Sequence, residues 1–416
     1  MNTWLKLGIR NLFRNQRRSL FTILAIGLGF ASVNALGGFT AYIFTSLEDS
    51  YIHGQANGHL SIFKAGFLRE GKLNPNEFLL SSPEIKEVET VLHDDPRVLI
   101  VSPQLNISGL VSNGQVSTIF VASGRVPADA EAIRSRSRAL AGKIEFFTGK
   151  PLRDDLSAGI GMSDGLAEQL GFKLGDTAVT MAPTVSGQVN ALDAQLLQTF
   201  SSPIEALEDK LMIVSLAFAQ ELYDTDSVDR INLLLTDGSQ TESVRAALLK
   251  RLTEHGLNVE IQTWYELSSF YTKVKQMFNV IFAFAFLIVF TIVVMSVINT
   301  VGMAIMERTR EIGTLRAIGV TRGGIVHLFA VESAVLGILG SLLGIGLTLI
   351  VSTGVDFFEP TWIPPQITRR VPLEVYLVPR EMLFSVGALL LLSLLAASVP
   401  AREASRMEIV SALGHV

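Results

Sequence analysis

The residues in this chain whose types and spacing invite a chemical reading are few. Gly161-Met162-Ser163-Asp164-Gly165 has the G-x-S-x-G form of a nucleophile elbow, in which a tight strand-to-helix turn presents a serine hydroxyl. Such a serine needs a later carboxylate and then a histidine to take its proton. Only His255 follows in the same stretch, at the end of a charged helical pattern, so the constellation is incomplete. Phosphate chemistry fares no better. Gly71-Lys72, Gly142-Lys143 and Gly149-Lys150 lack the upstream glycine and the following Ser or Thr of a P-loop. His53 and His59 have no second pair, His93, His255, His327 and His415 are scattered, and there is no cysteine, so no metal set is assigned. The chain is expected to be non-catalytic.

A different segment concentrates charge. From Met306 to Gly324 the chain reads MERTREIGTLRAIGVTRGG, helix-compatible up to Gly319. Ile312, Leu315 and Ile318 recur at three-residue spacing and predict an apolar stripe with charges on the other faces. Glu307 with Arg310, and Arg308 with Glu311, are opposite charges at i,i+3 that support a helix modestly. Two readings fit: a helix lying along a membrane surface, or a docking element whose stripe enters a partner's groove while its arginines meet an acidic rim.

The elements around this segment are membrane spans. Only 18% of the 416 residues are charged, below the quarter usual in soluble proteins, and mean hydropathy is +0.40. The net charge of -5 leaves no basic footprint for nucleic acid. Four apolar runs reach or approach the roughly 20 residues a bilayer needs: Leu20–Phe44, Met277–Met306, Ile325–Val351 and Met382–Val399, the last being shortest. Lys6, Arg10, Arg14, Arg17 and Arg18, then Arg308, Arg310, Arg316 and Arg322, then Arg402 and Arg406 all fall on one side, which predicts both termini cytoplasmic. Arg369, Arg370 and Arg380 weaken that bias without reversing it. The first run is read as an uncleaved signal anchor, being too long and lacking a small-residue cleavage site.

This topology leaves the stretch from Thr45 to Val274 outside the membrane. It carries a strand at Gly58–Lys64, a helix at Pro83–Asp94 and a strand near Val98–Ser102. The order returns at Ile231–Thr236, Thr241–His255 and Val259–Gln262. The expectation is a split β-α-β core with a mainly β insertion at about 107–229, punctuated by turns at Asn113-Gly114 and Asp237-Gly238. The fold class is thus an α-helical membrane protein with four transmembrane helices and a large α+β periplasmic domain. In order, the chain divides into a cytoplasmic amphipathic lead-in helix (1–18), a first span (19–46), the periplasmic domain (47–274) and a second span with stalk (275–306). A coupling segment (307–323), third span (324–352), periplasmic loop (353–381), fourth span (382–400) and cytoplasmic tail (401–416) complete it.

E-R-T-R-E-I-G-T-L-R-A-I-G followed by E-S-A-V-L-G-I-L-G-S-L-L-G strongly resembles the MacB/LolC/LolE/FtsX superfamily of ABC permeases. L-G-I-R-N-L-F-R-N-Q-R-R-S-L-F-T before the first span and P-A-R-E-A-S-R-M-E-I-V-S-A-L in the tail match the same family. The stretches Gly165–Asp176, Asn190–Phe200 and Leu211–Tyr223 look like its periplasmic core domain, in which Gly161–Gly165 becomes a helix N-cap turn. The resemblance implies a bacterial inner-membrane permease subunit working by mechanotransmission, with ATP and Mg bound by a separate ABC ATPase dimer and no cofactor in this chain. It implies a second permease, identical or homologous, and leaves room for a periplasmic chaperone or adaptor. The cargo is a lipoprotein, lipid or other amphiphile; the alternative is an FtsX-like regulator of a periplasmic hydrolase. Glu307, Arg308, Arg310, Glu311, Gly313, Arg316 and Gly319 become the ATPase-coupling residues.

Within the spans, Glu332 reads either as a bundle-facing packing or gating carboxylate or as a residue near the headgroups, and Gly337, Gly340, Gly344 and Gly346 are expected to form a small-residue packing face. Asn34 and Asn299 are expected to hydrogen-bond between helices. Phe63, Phe67 and Phe78, with Leu79 and Leu80, are the candidate cargo contacts.

Overall fold

The computed structural model describes residues 16–71, 73–93, 95–137, 147–154, 156, 158–202, 205–363 and 370–413. Most of the lead-in helix expected at 1–18 lies outside these residues, as do Arg369 and His415.

A backbone inside a bilayer has no water to bond to, so an apolar run crosses as a helix. Among the described residues, four helices are long and apolar enough: Gln16–Asp49 (continued by a π turn to Gly54), Ser269–Glu307, Arg322–Phe358 and Pro379–Arg406. Each outruns its apolar core because its polar flanks continue the helix. The fourth was expected to end at Pro400 but runs through it to Arg406. Ala396, Ala397, Ala401 and Ala404 are buried around the proline, and their packing holds the helix across the missing N–H.

The chain forms two compact units. One holds the four spans; the other comprises Thr45–Lys273 with Thr361–Val371. In the helical unit the third span meets the first where neither leaves room for a side chain. A Cβ on Gly340 would lie 2.6 Å from Ile26, and one on Gly344 2.6 Å from Phe30. Gly337 turns to the fourth span, where an added Cβ would sit 3.2 Å from the Ser393 hydroxyl. Gly346 has nothing within 4 Å and is off this contact. The Thr22 and Thr300 hydroxyls, 2.5 Å apart, join the first and second spans. Asn34 donates to the Phe30 carbonyl (2.9 Å) and accepts from Ser385 of the fourth span (3.3 Å), whereas Asn299 is exposed.

The sheet unit contains one ten-stranded sheet. Its strands are β1 (Leu60–Lys64), β2 (Val98–Ser112), β3 (Ser117–Arg125), β4 (Phe147–Gly149) and β5 (Gly159–Ser163), then β6 (Thr177–Pro183), β7 (Val189–Phe200), β8 (Leu211–Ser215), β9 (Arg230–Leu235) and β10 (Val259–Thr263). They run β10-β1-β9-β2-β3-β8-β5-β7-β4, with β6 bridging β2 and β7. β1 is antiparallel to β10 and β9, and β9 is antiparallel to β2, so two β-helix-β units interleave. Their helices, Ser82–His93 and Thr241–Glu254, bury Val88, Leu92, Val244 and Leu248 with Ile62 and Leu233 of the sheet. Asp95 ties the two helical segments: it accepts from Arg97 (2.9 and 2.7 Å) and from Arg251 (3.0 Å). The Arg97 hydrogen bonds, with the charges of Arg97 and Arg251, hold its carboxyl down at about 2.

The insertion expected to start at 107 begins in mid-strand. β2 is 15 residues long; its first half pairs with β9 and its second with β3 and β6. Leu105, Phe120, Met162, Met212 and Phe218 form a second apolar core beyond it. Asn113-Gly114 does turn the β2–β3 hairpin, with Gly114 at φ 87° and the Asn113 Oδ1 accepting from Val116 N–H at 2.8 Å. Asp237-Gly238 instead starts a helix: Asp237 caps it by accepting from Ser239 N–H at 2.9 Å.

The glycine contacts predict that Gly340→Val and Gly344→Val lower the folded yield on size exclusion in detergent, at a cost of about 1–3 kcal/mol, while Gly346→Val leaves it unchanged. A pH dependence follows from His59, whose Nδ1 accepts from Leu235 N–H at 3.1 Å. Burial, then the neighbouring His53, push His59 down from 6.5 to about 4. The unfolded chain therefore binds a proton that the folded chain refuses. Stability is full above pH 6.5 and falls as pH drops toward 4, by about 2 kcal/mol at pH 5. Asp95 adds a second loss only below 3.8. Unfolding midpoints at pH 7 and pH 5 should differ less in His59→Gln than in the parent.

Candidate functional site

The charged link folds as a helix, Thr309–Ala317, set off from the second span by a break at Arg308 (φ -118°, ψ 17°). Thr309 turns its hydroxyl back to the Ile305 carbonyl at 3.0 Å. At the other end Gly319 takes φ 103°, a conformation glycine adopts without a Cβ penalty, and Val320 N–H closes onto the Leu315 carbonyl at 3.0 Å. Thr321 then caps the third span by accepting from Gly324 N–H at 3.2 Å.

The inner face of this helix is fastened to its own chain. Ile312 is 3% exposed and packs with Ile305, Ile325, Ala401 and Ala404, while Leu315 is half-buried beside them. The helix also packs against the short C-terminal helix Ile409–Leu413. The stripe proposed as partner-facing thus faces the bundle, except for Ile318, which is 75% exposed.

Charge follows the same division. Arg308 donates to Glu311 at 2.8 Å and reaches within 3.6 Å of Glu332 on the third span, in a setting where both Arg308 and Glu332 side chains are about a tenth exposed. Arg316 donates to the Ser405 carbonyl at the end of the fourth span. Arg18 on the first span donates to Glu307 at 2.7 Å, at the end of the second. Removing one partner of a buried pair such as Arg308–Glu332 leaves an uncompensated charge, at a typical cost of about 3–5 kcal/mol. Arg310, Thr314 and Ile318, at i, i+4 and i+8, form the outward stripe; Glu311 and Gly319 are also exposed, and Gly313 is buried. Arg310 makes no ion pair among the described residues.

The other predicted residues scatter. Phe63 is fully buried in β1, stacked on Phe67 (5.6 Å) and with the Arg230 guanidinium 4.8 Å over its ring; it offers no surface to cargo in this conformation. Phe67 packs on the second apolar core, and Phe78 lies partly exposed beside Gly66. Ser163 ends β5 with its hydroxyl donating to the Leu211 carbonyl at 3.0 Å, fully buried, so the G-x-S-x-G match presents no hydroxyl to solvent. The contacts of Arg18 and Ser405 have no local pattern to mark them, since their partners lie 289 and 89 residues away.

The MacB-like periplasmic core domain matches residues 19–251, and the FtsX-like permease C-terminal domain matches residues 283–409. The chain belongs to the MacB/LolC/LolE/FtsX superfamily of ABC permeases. It is 22% identical over 365 residues to the lipoprotein-releasing system transmembrane protein LolE of Haemophilus influenzae, covering 80% of this chain and 83% of LolE. It is 24% identical to LolC of Neisseria meningitidis serogroup B, covering 76% of this chain and 78% of LolC. The periplasmic region of MacB from Actinobacillus actinomycetemcomitans aligns over 55% of this chain and 95% of its own at 14% identity, with a TM-score of 0.37.

With no native cysteine, this permease suits single-cysteine labelling. In mild detergent, Arg310→Cys, Thr314→Cys and Ile318→Cys should react with a polar maleimide within minutes, and Ile312→Cys only after unfolding. Rapid labelling of Ile312→Cys would mean that the helix turns its other face outward.

Proposed function

We propose that this permease couples ATP hydrolysis by a separate ATPase to movement of its sheet unit on the periplasmic side of the inner membrane. The observation that carries this reading is the two-sided helix Thr309–Ala317. Its inner face is held by Ile312, Arg308 and Arg316, and its outer face presents Arg310, Thr314 and Ile318. An element fastened to three spans and bare on one side can take a push from a docked partner and deliver it to the bundle. Arg310 supplies a charge for an acidic rim, and Ile318 an apolar anchor.

The excess of Lys and Arg at the N-terminus, this link and the tail supports placing them in the cytoplasm with both termini, which puts the sheet unit outside. Motion then runs along the helix Ser269–Glu307. Its first turn belongs to the sheet unit, where Tyr271 meets Trp264 at 4.6 Å and Glu266 pairs with Arg245 at 2.9 Å. The permease works as a dimer with a second permease, identical or homologous, above an ATPase pair, and ATP and Mg are the partner's. The names of LolE and LolC support a lipid-bearing cargo.

The test is mild-detergent purification of the tagged chain, with mass spectrometry of what accompanies it. An ABC ATPase in equal amount, lost in Arg310→Glu while membrane insertion persists, is the expected result. Undiminished ATPase recovery with Arg310→Glu would remove the docking assignment. A cell-wall hydrolase accompanying the pair, with no lipid or lipoprotein, would point to regulation instead of transport.

A further inference from the structure

The sheet unit holds a cavity of about 830 Å³ between the helix Pro127–Arg134, the strands β3, β7 and β8, and the segment around Phe147–Asp154. Its charge is unbalanced. Arg125 donates to neutral acceptors only: Ser123 Oγ (3.0 Å), Asn57 Oδ1 (2.7 Å) and the Ala56 carbonyl. Arg134 lies with its guanidinium 4.8 Å over the Phe147 ring, and its Nε is shut off from solvent with no hydrogen-bond partner. No salt bridge to either arginine occurs among the described residues. The acids on the lining, Glu131 and Asp154, are exposed and solvated.

A buried donor left without an acceptor is costly, and two guanidiniums that share a cavity without a carboxylate bonded to either repel each other. Burial, then Arg134 and Arg230, push Arg125 down to about 9. A bound oxyanion would relieve both conditions, and the fork of an arginine suits carboxylate or phosphate oxygens. Phe147, Leu152 and Ile213 supply an apolar wall beside the charge. We propose that this cavity binds the anionic head of an amphiphile, a phosphate or carboxylate on Arg134 and Arg125, with its chain along Phe147, Leu152 and Ile213. The site is local to the sheet unit and does not depend on the ATP-coupling reading.

The test uses the full chain in phosphatidylcholine nanodiscs, titrated calorimetrically with hexyl phosphate, hexanoate, hexyl glucoside and inorganic phosphate against empty discs. Saturable binding of hexyl phosphate or hexanoate is expected, and the tighter of the two names the head group. Arg134→Gln should weaken it roughly tenfold or more, with partial recovery in Arg134→Lys. Should Arg134→Gln fail to fold, Leu152→Glu, at a half-exposed position, should weaken binding by placing a like charge against the ligand. The proposal is overturned by equal affinity in these variants, by hexyl glucoside or inorganic phosphate binding as tightly as the anionic amphiphile, or by no saturable binding at all.

Discussion

The contact between the first and third spans governs most of the helical unit. Lipid tails are as apolar as leucine, so spans associate only where surfaces fit closely. Gly340 and Gly344 remove the side chains that would hold the two helices apart, and Ile26 and Phe30 fill the space, one turn apart on each helix. This sets the position of the third span, and with it Glu332, which meets Arg308 from the link. The cap at Thr321 and the turn at Gly319 then leave the link helix little choice of direction.

Charge burial decides how that helix sits. A nearly enclosed arginine is costly unless acceptors meet it, and Arg308 finds Glu311 and Glu332 while Arg316 finds the Ser405 carbonyl. These contacts reach the third and fourth spans, and Ile312 adds an apolar anchor between them. The helix is therefore an extension of the bundle with one solvent face. Displacing it requires moving the ends of three spans, and this property suits a chain that belongs to the ABC permeases.

The sheet unit has a comparable dependence on one element. β2 serves both halves: Gln104 pairs with Arg230 of β9 on one side and Arg125 of β3 on the other. Two apolar cores lie along the same strand, so the halves share a backbone ladder and no linker divides them. Arg125 ends β3 and reaches back to Ala56 and Asn57, which places its charge beside the cavity.

Much of this was legible in the residues alone. Four spans follow from apolar runs that only a bilayer can accommodate, and strands and helices of the sheet unit follow from periodicity, to within a few residues at β1, β9 and β10. The location of the link also follows, because charge so dense between two spans has to lie at a surface. Facing did not. Ile312 and Ile318 are alike in sequence, yet one is buried and one exposed, since the C-terminal segment covers only one side. Phe63 reads as a candidate cargo contact until β1 is placed between β9 and β10. Pro400 reads as a helix end until buried alanines carry the helix past it. Local pattern determines which segments are apolar, helical or extended, because those preferences act over a few residues. Which face is covered depends on partners as much as 289 residues away, and only the packed chain decides that.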